Sequence, residues 1–196
     1  MKITDTRKKI LEAGLKIFSS KGYAGATTKE IAAKAGVAEV TVFRYFSSKE
    51  RLFEEVMNAY SFLPALKELL PELEGIDYRD ALFIIAERFL GLFSERKELI
   101  RIIHSEIYRS PRIALFFRKF VEEIFRAMAS YFTRMDRRGE LRKFNPEYAA
   151  RAFLGMFMAF FVTEEFIIKR ISSKEEKKRI IEEFVEIFAR GTIRDK

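Results

Sequence analysis

The chain has 196 residues, of which 48% are hydrophobic and 34% are charged, and its formal net charge is +8. This composition indicates a folded protein with a substantial core and excludes a disordered chain. The chain contains no cysteine, which excludes disulfide bonds and thiolate metal sites and is typical of a reducing cytoplasm. We therefore expect a cytoplasmic protein.

The positive charge favours an anionic partner only weakly, because it is not confined to one part of the chain. Residues 1–60 carry 11 Lys and Arg against 7 Asp and Glu, and residues 109–143 carry 10 against 4. The longest apolar run, residues 152–162, is much shorter than the ~20 residues needed to cross a bilayer. We expect no membrane partner and no signal peptide.

Almost every segment has the apolar periodicity of a helix, and none shows a convincing period of two. This pattern predicts an all-α protein of about nine helices. The first helix is expected to run from about Thr4 to Ser20 and to end at Lys21-Gly22.

Residues 27–46 carry two short helical patterns separated by Gly36. Thr27 is a favourable N-cap, and Glu30 follows three residues later, as in a capping box. Gly36 supplies the turn, since glycine adopts positive φ without a steric penalty. Val42 and Phe46 lie four residues apart and form the buried face of the second helix. This spacing predicts a helix-turn-helix, which places its second helix in the major groove of DNA.

The second helix of this motif is predicted to expose an unusual face. Glu39, Val40, Phe43 and Arg44 point largely away from the core. Exposure of a valine and a phenylalanine to water, beside charged residues, is unfavourable. Both side chains fit a helix that contacts thymine methyl groups and sugars in a DNA groove.

From Thr27 to Leu52 the chain resembles the TetR family of bacterial transcriptional regulators. The matches form a gap-free series: Thr27 or Thr28, Ile31, Ala32, Ala35, Gly36, Val37, Thr41, Tyr45, Phe46, Lys49, Glu50 and Leu52. The chain departs from the family pattern at Ala38, Val40 and Phe43. The family usually has tyrosine at the position of Phe43, and its hydroxyl commonly donates to a phosphate, a contact that Phe43 cannot make.

The resemblance implies a set of DNA contacts. The predicted DNA-binding residues are Thr27, Thr28, Glu39, Val40, Thr41, Phe43, Arg44, Tyr45 and Lys49. The expected contacts to the sugar-phosphate backbone come from Thr28, Thr41, Tyr45 and Lys49. The expected base readers are Glu39, Val40 and Arg44. Packing of the Tyr45 ring in the helix-turn-helix core is an open alternative.

The rest of the chain continues the helical pattern. Helices are expected from Ser48 toward Pro64, from Asp77, from Lys97, from Pro111, from Asn145-Pro146 and from Ser173, with a loop at residues 71–76. The helix after Pro111 is apolar almost all round, which predicts central burial. By function, we divide the chain into a DNA-binding domain, residues 1–47, and an effector-binding and dimerisation domain, residues 48–196.

The last two predicted helices carry an apolar surface that a chain of this length cannot easily cover. Gly155 and Ala159 lie four residues apart and would permit close approach of another helix. We expect a homodimer formed through these two helices as an intermolecular four-helix bundle, which the resemblance also implies. Packing of the same face inside one monomer is the alternative.

The 21 phenylalanines either fill a solid core or line a cavity for a small apolar effector. The candidate ligand-binding residues are Phe89, His104, Tyr108, Phe117, Phe120, Tyr131, Phe153 and Phe157. His104 is the only histidine, and its isolation argues against a metal site.

These features together predict a ligand-responsive, homodimeric transcriptional repressor that a small apolar molecule releases from a double-stranded DNA operator. No cofactor is expected. An enzyme is not expected either, because the sequence has no phosphate-binding glycine loop with lysine, no His-Glu-x-x-His and no cysteine nucleophile. The alternative is a DNA-binding protein without an effector, whose C-terminal domain is packed solidly.

Overall fold

The computed structural model describes residues 5–170 and 173–194. Its elements are α1 (Asp5–Gly25), α2 (Thr28–Ala35), α3 (Glu39–Tyr45), α4 (Lys49–Tyr60), α5 (Phe62–Glu72), α6 (Tyr78–Glu95), α7 (Lys97–Arg109), α8 (Pro111–Arg137), α9 (Pro146–Val162), a π-helical segment (Thr163–Ile168) and α10 (Lys174–Thr192). Over these residues the only β pairing is an isolated bridge between Leu141 and Ile193. The all-α prediction is confirmed.

The sequence did not predict α5 as a helix distinct from α4. The sequence predicts one helix from Ser48 toward Pro64, but α4 ends at Tyr60 because Ser61 has extended backbone angles, φ −86° and ψ −179°. Pro64 falls in the first turn of α5, where the missing N–H of proline costs no helical hydrogen bond. Thr4, the expected start of the first helix, lies outside the described residues.

The predicted break at the end of the first helix lies at Gly22. Gly22 has φ 75° and ψ 174°, which interrupts the helical geometry of α1. A Cβ atom at this position would lie 3.2 Å from Oε1 of Glu106 on α7. Glycine is therefore favoured at this position for two reasons: the positive φ and the close approach of the Glu106 carboxylate.

By packing, the described chain divides into two compact units. Unit 1 comprises the residues up to Pro64 together with Arg96–Phe120, and unit 2 comprises Ala65–Glu95 together with the residues from Val121 onward. The division at residues 47 and 48 was made by function, not by packing, and it remains a prediction.

In unit 1, α1 packs against α2, α4 and α7. Its core joins Phe18 of α1, Val42 of α3, Phe53 of α4 and Ile103 of α7, all at most 4% exposed. The apolar faces of the short helices α2 and α3 are covered by this core. These two helices are too short to be stable alone, so the packing holds their geometry.

In unit 2, α6 packs against α9 and α10. Aromatic rings fill the interior: the Phe153 ring lies 5.2 Å from the Phe157 ring and 5.0 Å from the Phe188 ring. Such edge and tilted ring pairs stabilise the core beyond the area they bury.

The central burial expected for the helix after Pro111 holds for one side of the helix only. In α8, Leu115 is 46% exposed, and residues 118, 119, 122, 123 and 126 form an exposed charged side. The phenylalanines that suggested an apolar surface all round, Phe116, Phe117 and Phe125, are only half-buried. The helix is amphipathic because its Lys, Arg and Glu recur at helical spacing.

Candidate DNA-binding surface

The helix-turn-helix has the local geometry that the sequence predicts. The Thr27 hydroxyl accepts from the Glu30 N–H at 3.2 Å, and the Glu30 carboxylate accepts from the Thr27 N–H at 3.2 Å, which completes the capping box. Gly36 adopts the left-handed conformation, φ 70° and ψ 34°. The Val37 N–H then donates to the Ala32 carbonyl at 3.0 Å. The turn therefore leaves α2 with paired terminal groups and directs the chain into α3.

The outward face of α3 is exposed as the sequence predicts. Val42 is 1% exposed and Phe46, just after the helix, is 2% exposed. On the opposite side Val40 is 74% exposed and Phe43 is 46% exposed, and Arg44 is also exposed. A seven-residue helix thus presents two large apolar side chains and a guanidinium to solvent.

Tyr45 takes an intermediate position. It is half-buried, and its ring packs against the core of unit 1, 6.4 Å from the Phe46 ring. The Arg44 guanidinium lies 5.7 Å from the centre of the Tyr45 ring, within reach of a cation–π interaction. Core packing, the alternative left open above, therefore accounts for part of this side chain, and its phosphate contact remains a prediction.

Lys49 anchors two elements to each other. Its ammonium donates to the carbonyls of Tyr23 and Ala26, at 2.9 and 3.0 Å, and lies 4.5 Å from the centre of the Tyr23 ring. These contacts join the start of α4 to the end of α1 and to the segment that connects α1 and α2. An ammonium has three N–H donors, so these two bonds leave a third for a phosphate.

The hydroxyls of Thr27 and Thr28 both donate within the chain. Thr27 Oγ1 lies 3.0 Å from Glu30 Oε2, and Thr28 Oγ1 lies 2.6 Å from Glu39 Oε1. A carboxylate only accepts, so each hydroxyl proton is used in these bonds. Any phosphate contact at this helix start would therefore come from backbone N–H groups of the first turn of α2.

Two residues that the sequence did not single out support this surface. The Arg7 guanidinium pairs with the Glu55 carboxylate at 2.6 Å and lies 5.3 Å from the centre of the Phe46 ring. Tyr23 supports the Lys49 ammonium, and burial raises the pKa of its hydroxyl. The position of Tyr23, directly after the helix-breaking Gly22, could have indicated its role from the sequence. No feature of the neighbouring sequence indicates the role of Arg7.

Four of the predicted ligand-binding residues fall in unit 1. His104 is exposed, and Tyr108 is 89% exposed. Phe117 packs against the core of unit 1, with its ring 6.0 Å from the Phe120 ring. The structure therefore does not enclose His104 or Tyr108, because both project from the solvent-facing side of the α7 region.

The other four lie in the interior of unit 2. Phe89, Tyr131, Phe153 and Phe157 are each at most 3% exposed. The Phe89 ring lies 4.1 Å from the Phe93 ring, whereas Phe153 and Phe157 pair with each other. These contacts are those of a packed core.

A small crevice opens elsewhere in unit 2. It is lined by Leu90, Ser94, Phe160, Phe161, Glu164, Glu165, Arg170 and Lys177. Its internal space is about 20 Å³, room for one water molecule. None of the eight predicted ligand-binding residues lines it, and ligand pockets are usually of about 300 Å³ or more.

Within residues 5–170 and 173–194, no three acidic, histidine or cysteine side chains lie close enough together to hold a metal ion. No helix in the same ranges is both long and apolar enough to span a bilayer.

The fold and the exposed face of α3 define a class: an all-α, helix-turn-helix DNA-binding regulator. Residues 10–56 match the family model "Bacterial regulatory proteins, tetR family", and residues 80–191 match "AefR-like transcriptional repressor, C-terminal domain". The chain belongs to the TetR family and is a DNA-binding transcriptional regulator, not an enzyme.

Individual relatives agree with this assignment. The chain is 28% identical to the uncharacterized HTH-type transcriptional regulator YvkB of Bacillus subtilis over 97% of this chain and 98% of that protein. A TetR-family regulator from Mesorhizobium loti superposes with a TM-score of 0.84 at 27% identity, covering 99% of this chain and all of that one. The Flavonoid-responsive Regulator FrrA superposes with a TM-score of 0.74 at 25% identity, covering 97% and 98%.

Proposed function

We propose that the protein is a cytoplasmic, homodimeric repressor that leaves its operator when a small apolar molecule binds. The observation that carries the proposal is the exposed face of α3, where Val40 and Phe43 project beside Arg44. Two copies of this helix would enter successive major grooves, about 34–36 Å apart along the duplex. Arg44 and Glu39 would read base edges there, and Val40 would contact thymine methyl groups.

Dimerisation is supported by exposed small and apolar residues on each of the last two helices. Along α9, Tyr148, Ala152, Gly155 and Ala159 are all exposed and recur at helical spacing. A Cβ atom on Gly155 would meet nothing within 4 Å, so the small residue leaves room for a second helix.

Helix α10 also leaves apolar side chains uncovered. Ile187 is 63% exposed, and Phe184, three residues earlier, is half-buried. Exposed apolar residues on two neighbouring helices mark an interface more often than an ordinary wet surface. A symmetric dimer through this face would bury these residues. It would also supply a second recognition helix for the other half-site of the operator.

Effector response is supported by the match to a repressor C-terminal domain and by FrrA, which is described as flavonoid-responsive. A ligand that binds one conformer better would shift the protein toward it and spoil the half-site spacing. By linkage, operator DNA must then weaken ligand binding by the same factor.

The first experiment asks whether duplex DNA is read as pairs of half-sites. Selection from a random duplex library should yield a two-fold symmetric sequence with half-sites one helical turn apart. Native mass spectrometry should give two protein chains per duplex or a multiple of two. Recovery of no preferred sequence would refute the proposed operator binding.

A second experiment addresses the effector. Compounds recovered from the purified protein, or apolar aromatic compounds in a thermal-shift screen, provide the probe. The dissociation constant of that compound should rise in the presence of saturating operator. An unchanged constant would contradict the induction model while leaving operator binding intact.

The close packing of aromatic rings in unit 2 favours a second candidate, a regulator without an effector. The Phe153 ring lies 5.2 Å from the Phe157 ring and 5.0 Å from the Phe188 ring. This candidate predicts that no compound copurifies and that no screened ligand changes operator affinity. A stoichiometric bound compound in native mass spectra would exclude it.

A further inference from the structure

A hydrogen bond connects the first residues of the two helices of the helix-turn-helix. Thr28 begins α2 and Glu39 begins α3, and Thr28 Oγ1 donates to Glu39 Oε1 at 2.6 Å. Hydrogen bonds from a hydroxyl to an ionised carboxylate are short and about twice as strong as neutral ones. The bond spans 11 residues of sequence and is half-buried.

The hydrogen-bonding capacity of the two groups limits what Thr28 can do on DNA. A threonine hydroxyl has one proton, and both a carboxylate and a phosphate only accept. While the Thr28 hydroxyl donates to Glu39, it cannot donate to a phosphate. The negative charge of Glu39 beside it would also repel an approaching phosphate. This pair is therefore poorly suited to the backbone contact that the sequence suggested for Thr28.

The same geometry suits base recognition by Glu39. The residue lies beside Val40, which is 74% exposed, at the end of α3 that is directed into the groove in a helix-turn-helix. One carboxylate oxygen is held by Thr28, which fixes the plane of the group. Lone pairs on the carboxylate can still accept, and the partners that fit are the exocyclic amines of cytosine and adenine in the major groove.

We propose that Thr28 is a positioning residue that holds the Glu39 carboxylate against an amino-bearing base of the operator, cytosine or adenine. Guanine and thymine present a carbonyl oxygen in the major groove, which the carboxylate repels. Thr28 therefore sets specificity at one base pair instead of adding affinity for all DNA. This inference rests on the proposed operator binding.

The test uses the full-length protein and the duplex selected by the wild type, together with all single-base variants of one half-site. Dissociation constants are measured for wild type, T28V, T28S, E39A and E39Q. T41V is the matched control, because Thr41 is a half-buried threonine in α3 that is predicted to contact the backbone.

Wild type should prefer an amino-bearing base at one position by about 5- to 150-fold. T28V and E39A should each reduce that preference at the same position, and their double mutant should lose no more than E39A alone. T28S, which keeps the hydroxyl, should retain it. E39Q preserves the shape of the side chain and should tolerate a carbonyl-bearing base, because its amide can donate.

Loss of affinity by the same factor for every sequence in T28V, as expected for T41V, would identify Thr28 as a backbone contact and overturn the inference. A base preference unaffected in both E39A and E39Q would also overturn it, even if T28V failed to fold. Failure of the proposed function has a different signature, since the wild type would then select no sequence at all.

Discussion

At the residue scale, side chains on the DNA-binding surface are held by the protein before any DNA arrives. Lys49 binds two carbonyls, and the hydroxyls of Thr27 and Thr28 each donate to a carboxylate. Groups fixed in this way lose little rotamer freedom on binding, which favours affinity. The same bonds mean that a substitution here changes folding stability as well as DNA contacts.

The first prediction separates the two roles of Lys49. Lys49→Met removes the charge and leaves two carbonyls without their donor, so the free energy of unfolding should fall by about 1–3 kcal/mol. If the third N–H contacts a phosphate, the slope of log affinity against log salt should also fall by about one. Urea unfolding and binding titrations at several salt concentrations measure the two effects.

Lys16→Met is the control for Lys49, since Lys16 is an exposed lysine of α1. It should alter neither quantity appreciably. A variant at Lys49 that unfolds earlier but keeps the wild-type salt slope would show that this lysine is an internal anchor and not a phosphate contact.

A second prediction compares two buried tyrosines of unit 2. The Tyr131 hydroxyl is buried without a hydrogen-bond partner, and burial raises its pKa to about 12. The Tyr78 hydroxyl shares a 3.0 Å hydrogen bond with Thr192. Tyr131→Phe should therefore be neutral or stabilising, whereas Tyr78→Phe should cost about 1 kcal/mol.

Chemical denaturation of both variants measures this difference. Because burial raises the Tyr131 pKa in the folded state, the hydroxyl ionises more readily in the unfolded state, so folding stability falls as the pH rises from 10 toward 12. Tyr131→Phe should thus also weaken the loss of stability above pH 10. Equal destabilisation by the two substitutions would contradict the view that only the Tyr78 hydroxyl makes a hydrogen bond.

At the element scale, the turn between α2 and α3 determines where the recognition helix points. Gly36 has φ 70°, and a Cβ atom there would meet nothing within 4 Å. The requirement for glycine is therefore conformational and not steric. Loops that must adopt positive φ accept Asn next best after Gly.

The third prediction follows from that distinction. Gly36→Ala should lower the free energy of unfolding by about 1–2 kcal/mol, the usual cost of a left-handed conformation for a residue with a Cβ atom. Gly36→Asn should cost less. Gly91→Ala in α6 is the control with opposite sign, because a Cβ atom also has open space there and alanine favours a helix by about 0.5–1 kcal/mol. Thermal or urea unfolding gives all three values.

A loss for Gly36→Ala well above 2 kcal/mol would mean that the substitution disturbs packing that the structure does not indicate. A loss near zero would mean that the turn is not held in the left-handed region.

At the scale of the whole molecule, α9 and α10 each leave a large apolar side chain exposed. Tyr148 is 70% exposed and Ile187 is 63% exposed. A dimer that buries both would also give the protein two recognition helices, so oligomerisation and operator binding should be lost together.

The fourth prediction tests this coupling. Ile187→Glu introduces a charge into the proposed interface and should raise the dimer dissociation constant at least tenfold, because a charge buried there would be unpaired. Operator affinity should fall in parallel. Analytical ultracentrifugation and a binding titration at matched protein concentrations provide the measurements.

Lys178→Gln is the matched control, since it changes the net charge by the same amount at a 65% exposed position nearly opposite Ile187 on α10. It should leave the dimer intact. Unchanged association in Ile187→Glu would place the interface elsewhere.

Local sequence was sufficient to predict most helices and the DNA-binding motif. The Thr27–Glu30 capping box, the left-handed Gly36 and the buried Val42 all follow from residues close in sequence, and the structure has each of them. The separate helix α5 was not predicted because serine is not a strong helix breaker, although Ser61 has extended backbone angles in the structure.

The candidate sites were predicted less completely. Exposure of Val40 and Phe43 follows from helical periodicity, but the bond from Thr28 to Glu39 joins residues on two helices and depends on how those helices cross. The proposed ligand-binding set stays a prediction, since periodicity does not reveal which aromatic residues share a cluster. It grouped the exposed Tyr108 with the buried Phe153.

The sequence by itself therefore determined the family, the all-α class and the face of α3 that reaches solvent, because these depend on short-range spacing and intrinsic conformational preference. Only the tertiary structure decided which carboxylates accept the threonine hydroxyls, where the Lys49 ammonium binds and how tightly the phenylalanines of unit 2 pack. Those features depend on contacts between residues far apart in the chain, and such contacts are set by the packing of whole helices.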